Sequence, residues 1–195
     1  MRVGIYGGTF NPVHLGHIHL LREVLKTGLL DRILVIPDRT PPHKQAPDLI
    51  DGEKRLEMLR LATCGMDGVE VSDIELRREG KSYTYQTLRL LREQRPEDCF
   101  SLIMGADMLL SFKEWRNWEE ILAHTRLVAA ARDEGEYEQL EEAARSLGHT
   151  ALLKITPFPA SSTEVREAVR EGKPLEKLVP EPVARYIREN HLYRQ

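Results

Sequence analysis

Short β-branched segments alternate with longer amphipathic segments along the whole chain. The first kind is typical of strands buried in a parallel sheet, and the second is typical of helices that cover such a sheet. The predicted strands are residues 2–6, 32–36, 69–72, 100–104, 126–130 and 152–155. The predicted helices are residues 18–26, 53–61, 85–93, 118–123, 137–147, 165–169 and 182–189. This alternation predicts a doubly wound α/β fold with a mostly parallel sheet and C-terminal helices.

Length and charge narrow the classes of protein that fit this pattern. No linker or repeat divides the 195 residues, so residues 1–195 are expected to form one domain. The formal net charge is −3, with both signs interspersed, which predicts neither a nucleic-acid nor a membrane partner. No apolar run approaches the ~20 residues of a membrane helix, and no signal peptide is recognisable, so a cytoplasmic location is expected. Cys64 and Cys99 are predicted to be small core residues without a disulfide.

The segment that carries the strongest chemical signal follows the first predicted strand. It runs Gly7-Gly8-Thr9-Phe10-Asn11-Pro12-Val13-His14-Leu15-Gly16-His17 and leads into a helix. The paired glycines are expected to let the backbone turn sharply, so that a phosphate could approach main-chain N–H groups near a helix N-terminus. Because His14 and His17 are three residues apart, their imidazoles are predicted to lie on the same side of that turn. For any single residue, a glycine turn with helix-capping histidines is the simpler interpretation, but the whole set favours an anion site. The pattern is neither a dinucleotide fingerprint nor a Walker A loop, and it lacks the partners of a zinc motif.

Three weaker signals can each be explained by an ordinary structural role. Ser161 and Ser162 open a predicted helix with Arg166 one turn behind, which fits a plain N-cap as well as a phosphate site. Lys44 lies in the polar, proline-rich segment 39–51, where an exposed loop with a solvated lysine is the default expectation. Trp115 fits an ordinary core position.

The sequence GGTFNPVHLGH resembles the (H/T)xGH signature of the nucleotidyltransferase superfamily, and the chain as a whole resembles nicotinate-nucleotide adenylyltransferases. The further segments that carry the narrower resemblance are Pro41-Pro42-His43-Lys44, Ser82-Tyr83-Thr84-Tyr85-Gln86-Thr87, Gly105-Ala106-Asp107, Trp115, Ser161-Ser162-Thr163-Glu164-Val165-Arg166 and Leu178-Val179-Pro180-Glu181-Pro182-Val183. The chain departs from the family pattern at Gln86, where an aspartate is usual, and this affects one polar contact near the nucleotide substrate.

The resemblance implies a Rossmann-like nucleotidyltransferase fold and transfer of the adenylyl group of ATP to nicotinate mononucleotide. It implies catalytic roles for His14, His17 and Lys44. The implied ATP-binding residues are Gly7, Gly8, Thr9, Phe10, His14, His17, Gly105, Asp107, Ser161, Ser162 and Arg166. The implied residues for nicotinate mononucleotide are Thr84, Trp115, Lys44 and Asp107. Mg²⁺ is expected to be bound mainly through the ATP phosphates, with no protein metal ligands.

Several alternatives stay open at this point. Another adenylyltransferase of the superfamily would use nicotinamide mononucleotide or pantetheine phosphate as acceptor. A regulatory module would bind nucleotides without turnover. A homo-oligomer is compatible with the resemblance, and the sequence does not decide it.

Overall fold

The computed structural model describes residues 1–40, 48–131 and 133–194. These residues form six strands in one sheet, in the spatial order β3-β2-β1-β4-β5-β6. The strands are β1 (Arg2–Gly8), β2 (Arg32–Pro37), β3 (Val69–Val71), β4 (Cys99–Gly105), β5 (Arg126–Ala131) and β6 (Thr150–Lys154). Every neighbouring pair is parallel, which confirms the predicted doubly wound sheet.

Helices cover both faces of this sheet. Those of the described residues are α1 (Leu15–Lys26), α2 (Gly52–Thr63), α3 (Thr84–Gln94), α4 (Ala106–Leu110), α5 (Trp118–His124), α6 (Glu134–Leu147), α7 (Ser162–Arg170) and α8 (Glu181–Glu189), with a 3₁₀ helix at Phe112–Glu114. Alternate residues of β2 enter two separate apolar clusters: Ile33 and Val35 pack with α1, α2, α7 and α8, whereas Leu34 and Ile36 pack with α3 to α6. The continuous apolar character of the strands follows from burial on both faces.

Two sequence predictions need correction. The 106–114 segment was not predicted as helical because α4 has only five residues, too few to display a helical period. Cys64 and Cys99 are both exposed free thiols, so the prediction of core positions was wrong. Cys64 follows the last residue of α2 and Cys99 begins β4, and both sites lie outside the packed middle of their elements.

The strand order locates the crevice of the sheet. From β1 the chain winds outward through β2 and β3, and from β4 it winds outward in the opposite direction. The carboxyl ends of β1 and β4 are therefore neighbours at the point where the winding reverses, which is where open α/β sheets bind ligands. Among the described residues, no helix is long and apolar enough to cross a membrane.

Candidate active site

The loop between β1 and α1 lies at this reversal point. Gly7 and Gly8 do not form the predicted turn; they extend β1 and pair with Ile36 and Pro37 of β2. The left-handed residue is Phe10, whose φ is 47°. A Cβ on Gly7 would meet no atom within 4 Å, so a side chain there would project into open space above the strand end. The glycine therefore keeps the approach to the backbone clear for a ligand.

His14 and His17 are brought together as the spacing predicted. Their ring centroids are 3.6 Å apart, and the main-chain N–H of His14 donates to Nδ1 of His17 at 3.1 Å. Because Nδ1 accepts that hydrogen bond, the neutral His17 ring carries its proton on Nε2. The edge of Phe10 packs against the same ring at 5.0 Å. The local backbone thus fixes both the orientation of His17 and the tautomer that can donate from Nε2.

His14 has a different electrostatic environment. It is the N-cap of α1, and its Nδ1 is buried without a hydrogen-bond partner in the described part of the chain. Burial lowers the pKa of His14 to about 4, and the charge of Glu164 opposes this only in part. His14 is therefore neutral at pH 7. The ring also explains Gly16, since a Cβ there would lie 2.9 Å from Nδ1 of His14 and 3.2 Å from the carbonyl oxygen of Ala160.

The N-terminus of α7 is attached to the same loop. Ser161 is its N-cap and accepts a hydrogen bond from the N–H of Glu164 at 3.2 Å, which confirms the capping interpretation. The hydroxyl of Ser162 donates to the carbonyl of Pro12 at 2.8 Å, and Nη1 of Arg166 donates to the carbonyl of Asn11 at 2.9 Å. These bonds bring two helix N-termini, α1 and α7, to one loop. Both helix dipoles favour an anion at this position.

Arg55 is a buried cation beside this loop that the sequence pattern did not single out. Its guanidinium is 1% exposed and donates to the carbonyls of Thr9 at 2.6 Å, Asp38 at 2.7 Å and Ile50 at 3.2 Å. Asp38 also accepts from the hydroxyl of Thr9 at 2.9 Å. Arg55 thus joins the ends of β1 and β2 to the start of α2. The signal was available, because Arg55 occupies a helical position in line with the apolar Leu59.

A second group of predicted residues follows β4 and begins α3. Asp107 is the second residue of α4 and is exposed next to the end of β4. Trp115 ends the 3₁₀ helix, with its ring 5.4 Å from that of the fully buried Phe112. Trp115 and Tyr83, which precedes Thr84, pack against the same apolar cluster. The fold therefore places Thr84, Asp107 and Trp115, three of the residues predicted for the acceptor, on the α3–α5 face of the sheet.

The N-terminus of α3 lacks the usual side-chain cap. Thr84 is its first residue, the N-cap Tyr83 makes no side-chain hydrogen bond to the helix, and the first turn holds no acidic residue. The first N–H groups of such a helix are positively polarised and suited to a carboxylate. Lys44 and residues 41–43 lie outside the described residues, so the role predicted for Lys44 stays a prediction.

Comparison with known proteins bears directly on this arrangement. A model of the cytidylyltransferase-like family matches residues 5–168. The chain is 39% identical to the probable nicotinate-nucleotide adenylyltransferase of Geobacter metallireducens, over 99% of this chain and 98% of that protein. It is 36% identical to the nicotinate-nucleotide adenylyltransferase of Bacillus subtilis, over 98% of each chain.

A solved structure has the same fold at lower sequence identity. It is the Plasmodium falciparum nicotinic acid mononucleotide adenylyltransferase complexed with NaAD, which superposes with a TM-score of 0.80. The sequences are 20% identical, and the match covers 98% of this chain and 97% of that chain.

Proposed function

The chain belongs to the nicotinate-nucleotide adenylyltransferase family, and on that premise we propose that it transfers the adenylyl group of ATP to nicotinate mononucleotide. The products are nicotinate adenine dinucleotide and pyrophosphate, and the reaction is a step of NAD biosynthesis. The observation that carries the proposal is the loop between β1 and α1, where a tautomer-fixed His17 and two helix N-termini meet at the sheet's reversal point.

The acceptor needs no general base. The second pKa of a phosphomonoester is about 6, so the 5′-phosphate of nicotinate mononucleotide is largely dianionic at neutral pH. One of its oxygens attacks the α-phosphorus of ATP in line. A new P–O bond forms, and the bond to the β-phosphate oxygen breaks as pyrophosphate leaves. The protein therefore has to align two polyanions and stabilise the charge that develops between them.

His17 is the donor that we assign to the α-phosphoryl group. A proton on Nε2, with the ring held by the His14 N–H and by Phe10, is preorganised for charge that grows in the transition state. His14, Lys44 and Arg166 are assigned to the surroundings of the β- and γ-phosphates. Arg166 contributes in a second way, because its hydrogen bond to Asn11 also holds the loop in shape.

The acceptor's nicotinate ring is assigned to Trp115 and to the start of α3 at Thr84. An aromatic face stacks on the pyridine ring, while the uncapped N–H groups of α3 can satisfy both oxygens of a carboxylate. A carboxamide is nearly the same size but must turn its NH₂ towards those donors and leave at least one unpaired. A buried unpaired donor costs about 1 to 3 kcal/mol. Loss of a charge-assisted hydrogen bond adds to this cost, so preference for the acid over the amide should be at least about tenfold in kcat/KM.

Mg²⁺ is expected to reach this site bound to the phosphates of ATP. Within residues 1–40, 48–131 and 133–194, no cluster of three acidic, histidine or cysteine side chains is arranged to hold a metal ion. Mg²⁺ prefers phosphate oxygens and retained water to a protein cage, so the triphosphate itself can supply its ligands. Bound in this way, the ion would offset negative charge on the phosphates that leave as pyrophosphate.

The test is pyrophosphate release from ATP with nicotinate mononucleotide, nicotinamide mononucleotide and pantetheine phosphate in parallel. We expect release with the nicotinate substrate, formation of nicotinate adenine dinucleotide, and a kcat/KM for the amide at least about tenfold lower. A preference for the amide or for pantetheine phosphate would assign another superfamily reaction. Tight ATP binding without release on any acceptor would favour the regulatory module.

A further inference from the structure

A buried carboxylate outside the assigned site joins two segments that lead into it. Glu75 lies between β3 and α3 and is only 9% exposed. Its Oε1 accepts a hydrogen bond from the hydroxyl of Thr87 at 2.6 Å. A carboxylate buried to this degree is costly unless such donors satisfy it. The sequence pattern gave no sign of this cluster.

One side of the cluster is the start of α3. Thr87 lies one helical turn after Thr84, and its main-chain N–H donates to the carbonyl of Tyr83. The bond from its hydroxyl to Glu75 therefore fixes the first turn of the helix whose N–H groups are assigned to the acceptor carboxylate. Because Tyr83 provides no side-chain cap, the orientation of this turn depends on contacts of this kind.

The other side is the chain that leaves β2. The hydroxyl oxygen of Ser82 accepts from the N–H of Arg39 at 3.0 Å, and the N–H of Ser82 donates to the carbonyl of Thr40 at 3.2 Å. The Arg39 guanidinium in turn donates to the carbonyls of Leu76 and Arg78. Thr40 directly precedes the segment that contains Lys44. Residues 75–78 thus contact α3 through the Thr87 hydroxyl and the chain that leaves β2 through the Arg39 guanidinium.

The charge balance around Glu75 supports this arrangement. Burial raises the pKa of Glu75, whereas the hydroxyls of Thr87 and Ser82 and the charge of Arg78 lower it. Arg78 acts through its charge, because its two buried Nη atoms form no hydrogen bond within the described structure. The hydrogen bond from Thr87 is therefore the direct contact that satisfies this carboxylate.

We propose that Glu75 is a positioning residue for the acceptor, which holds the start of α3 through Thr87 in the geometry that binds nicotinate mononucleotide. This inference rests on the proposed function, since it specifies that function's acceptor side. The residues proposed for the ATP phosphates lie around α1 and α7 on the other face of the sheet, so loss of Glu75 should affect the two substrates unequally.

Three variants and one control test the proposal. Glu75→Ala removes the hydrogen bond from Thr87, Glu75→Gln keeps an oxygen that can accept it, and Thr87→Val deletes the donor at nearly constant volume. Glu79→Ala, an exposed carboxylate four residues away, is the matched control. Glu75→Ala should raise the KM for nicotinate mononucleotide by at least about tenfold while the KM for ATP stays within about twofold. Thr87→Val should raise the acceptor KM by about threefold, and Glu75→Gln and the control should stay within about threefold of wild type.

A second readout is independent of turnover. Nicotinate mononucleotide should quench tryptophan fluorescence, and its Kd without ATP should weaken in Glu75→Ala as its KM does. If Glu75→Ala does not fold, the KM and Kd for the acceptor are compared between wild type, Glu75→Gln and Thr87→Val. Equal changes in the KM of both substrates, an unchanged acceptor Kd, or a Gln variant as impaired as the Ala variant would overturn the proposal. Those results presuppose an active wild type, whereas an inactive wild type would instead refute the proposed function.

Discussion

Gly16 offers a substitution that should separate catalysis from stability. It is the second residue of α1, where alanine would normally favour the helix by about 0.5 to 1 kcal/mol over glycine. A Cβ at this position would lie 2.9 Å from Nδ1 and 3.0 Å from Cε1 of His14, and 3.2 Å from the carbonyl of Ala160. Carbon atoms do not approach ring atoms this closely, so the His14 ring must move.

The movement would be passed to His17, because the two rings stack with centroids 3.6 Å apart and the His14 N–H orients the His17 ring. A displacement approaching 1 Å at a catalytic donor costs up to about 10²-fold in rate. Gly16→Ala should therefore lower kcat by about 10- to 10²-fold, while the unfolding free energy changes by less than about 1 kcal/mol.

Gly135 provides the matched control. It is also the second residue of a helix, α6, and a Cβ there would meet only Asp133 Oδ1 at 3.6 Å, an ordinary contact. Gly135→Ala should leave kcat unchanged and stabilise the protein slightly. Turnover is measured by pyrophosphate release, and stability by urea unfolding. A kcat of Gly16→Ala within threefold of both wild type and Gly135→Ala would refute the steric argument.

Three further predictions concern the surroundings of the site. Arg55→Met should destabilise the protein by about 3 to 5 kcal/mol in urea unfolding, because it removes a buried guanidinium that pairs with the Asp38 carboxylate and donates to three carbonyls; a loss below 1 kcal/mol would contradict this role. The pKa of His14 is about 4 in the folded protein against 6.5 ordinarily, so protonation favours the unfolded chain and stability is lost as the pH falls from 6.5 towards 4. The difference in urea midpoint between pH 7 and pH 4.5 should therefore be larger for wild type than for His14→Asn, and equal differences would show that His14 does not titrate in this way. Trp115→Ala should raise the KM for nicotinate mononucleotide by about tenfold through the loss of ring stacking, with the KM for ATP as the internal control.

The fold could be predicted because the apolar sequence pattern of its strands is unambiguous. Segments such as Ile33–Ile36 are apolar on both faces, and only a parallel sheet covered on both sides buries them. The short α4 was missed, since five residues do not show a period. The cysteines were misplaced because residue type alone favours burial, whereas Cys64 and Cys99 stand at element ends.

The candidate site was predictable only where its residues are consecutive. His14 and His17 share one turn, so their spacing determines their proximity. The contacts of Arg55, Glu75 and Tyr193 depend on tertiary structure: the Tyr193 hydroxyl donates to Oδ1 of Asn11, 182 positions earlier in the chain, at 2.9 Å. No local pattern reports such a contact. The predicted glycine turn failed for a related reason, because pairing with β2 extends the strand through Gly8.

The most direct test of the account is the turnover of His17→Ala with ATP and nicotinate mononucleotide. The His14 N–H and Phe10 orient the His17 ring with its proton on Nε2, the donor that we propose for charge that develops on the α-phosphoryl group. Removal of one such donor costs about 10²- to 10³-fold in kcat. We predict a loss of that size with the KM for ATP within about threefold of wild type, since the donor acts mainly in the transition state. A folded His17→Ala enzyme with kcat within threefold of wild type would contradict the account.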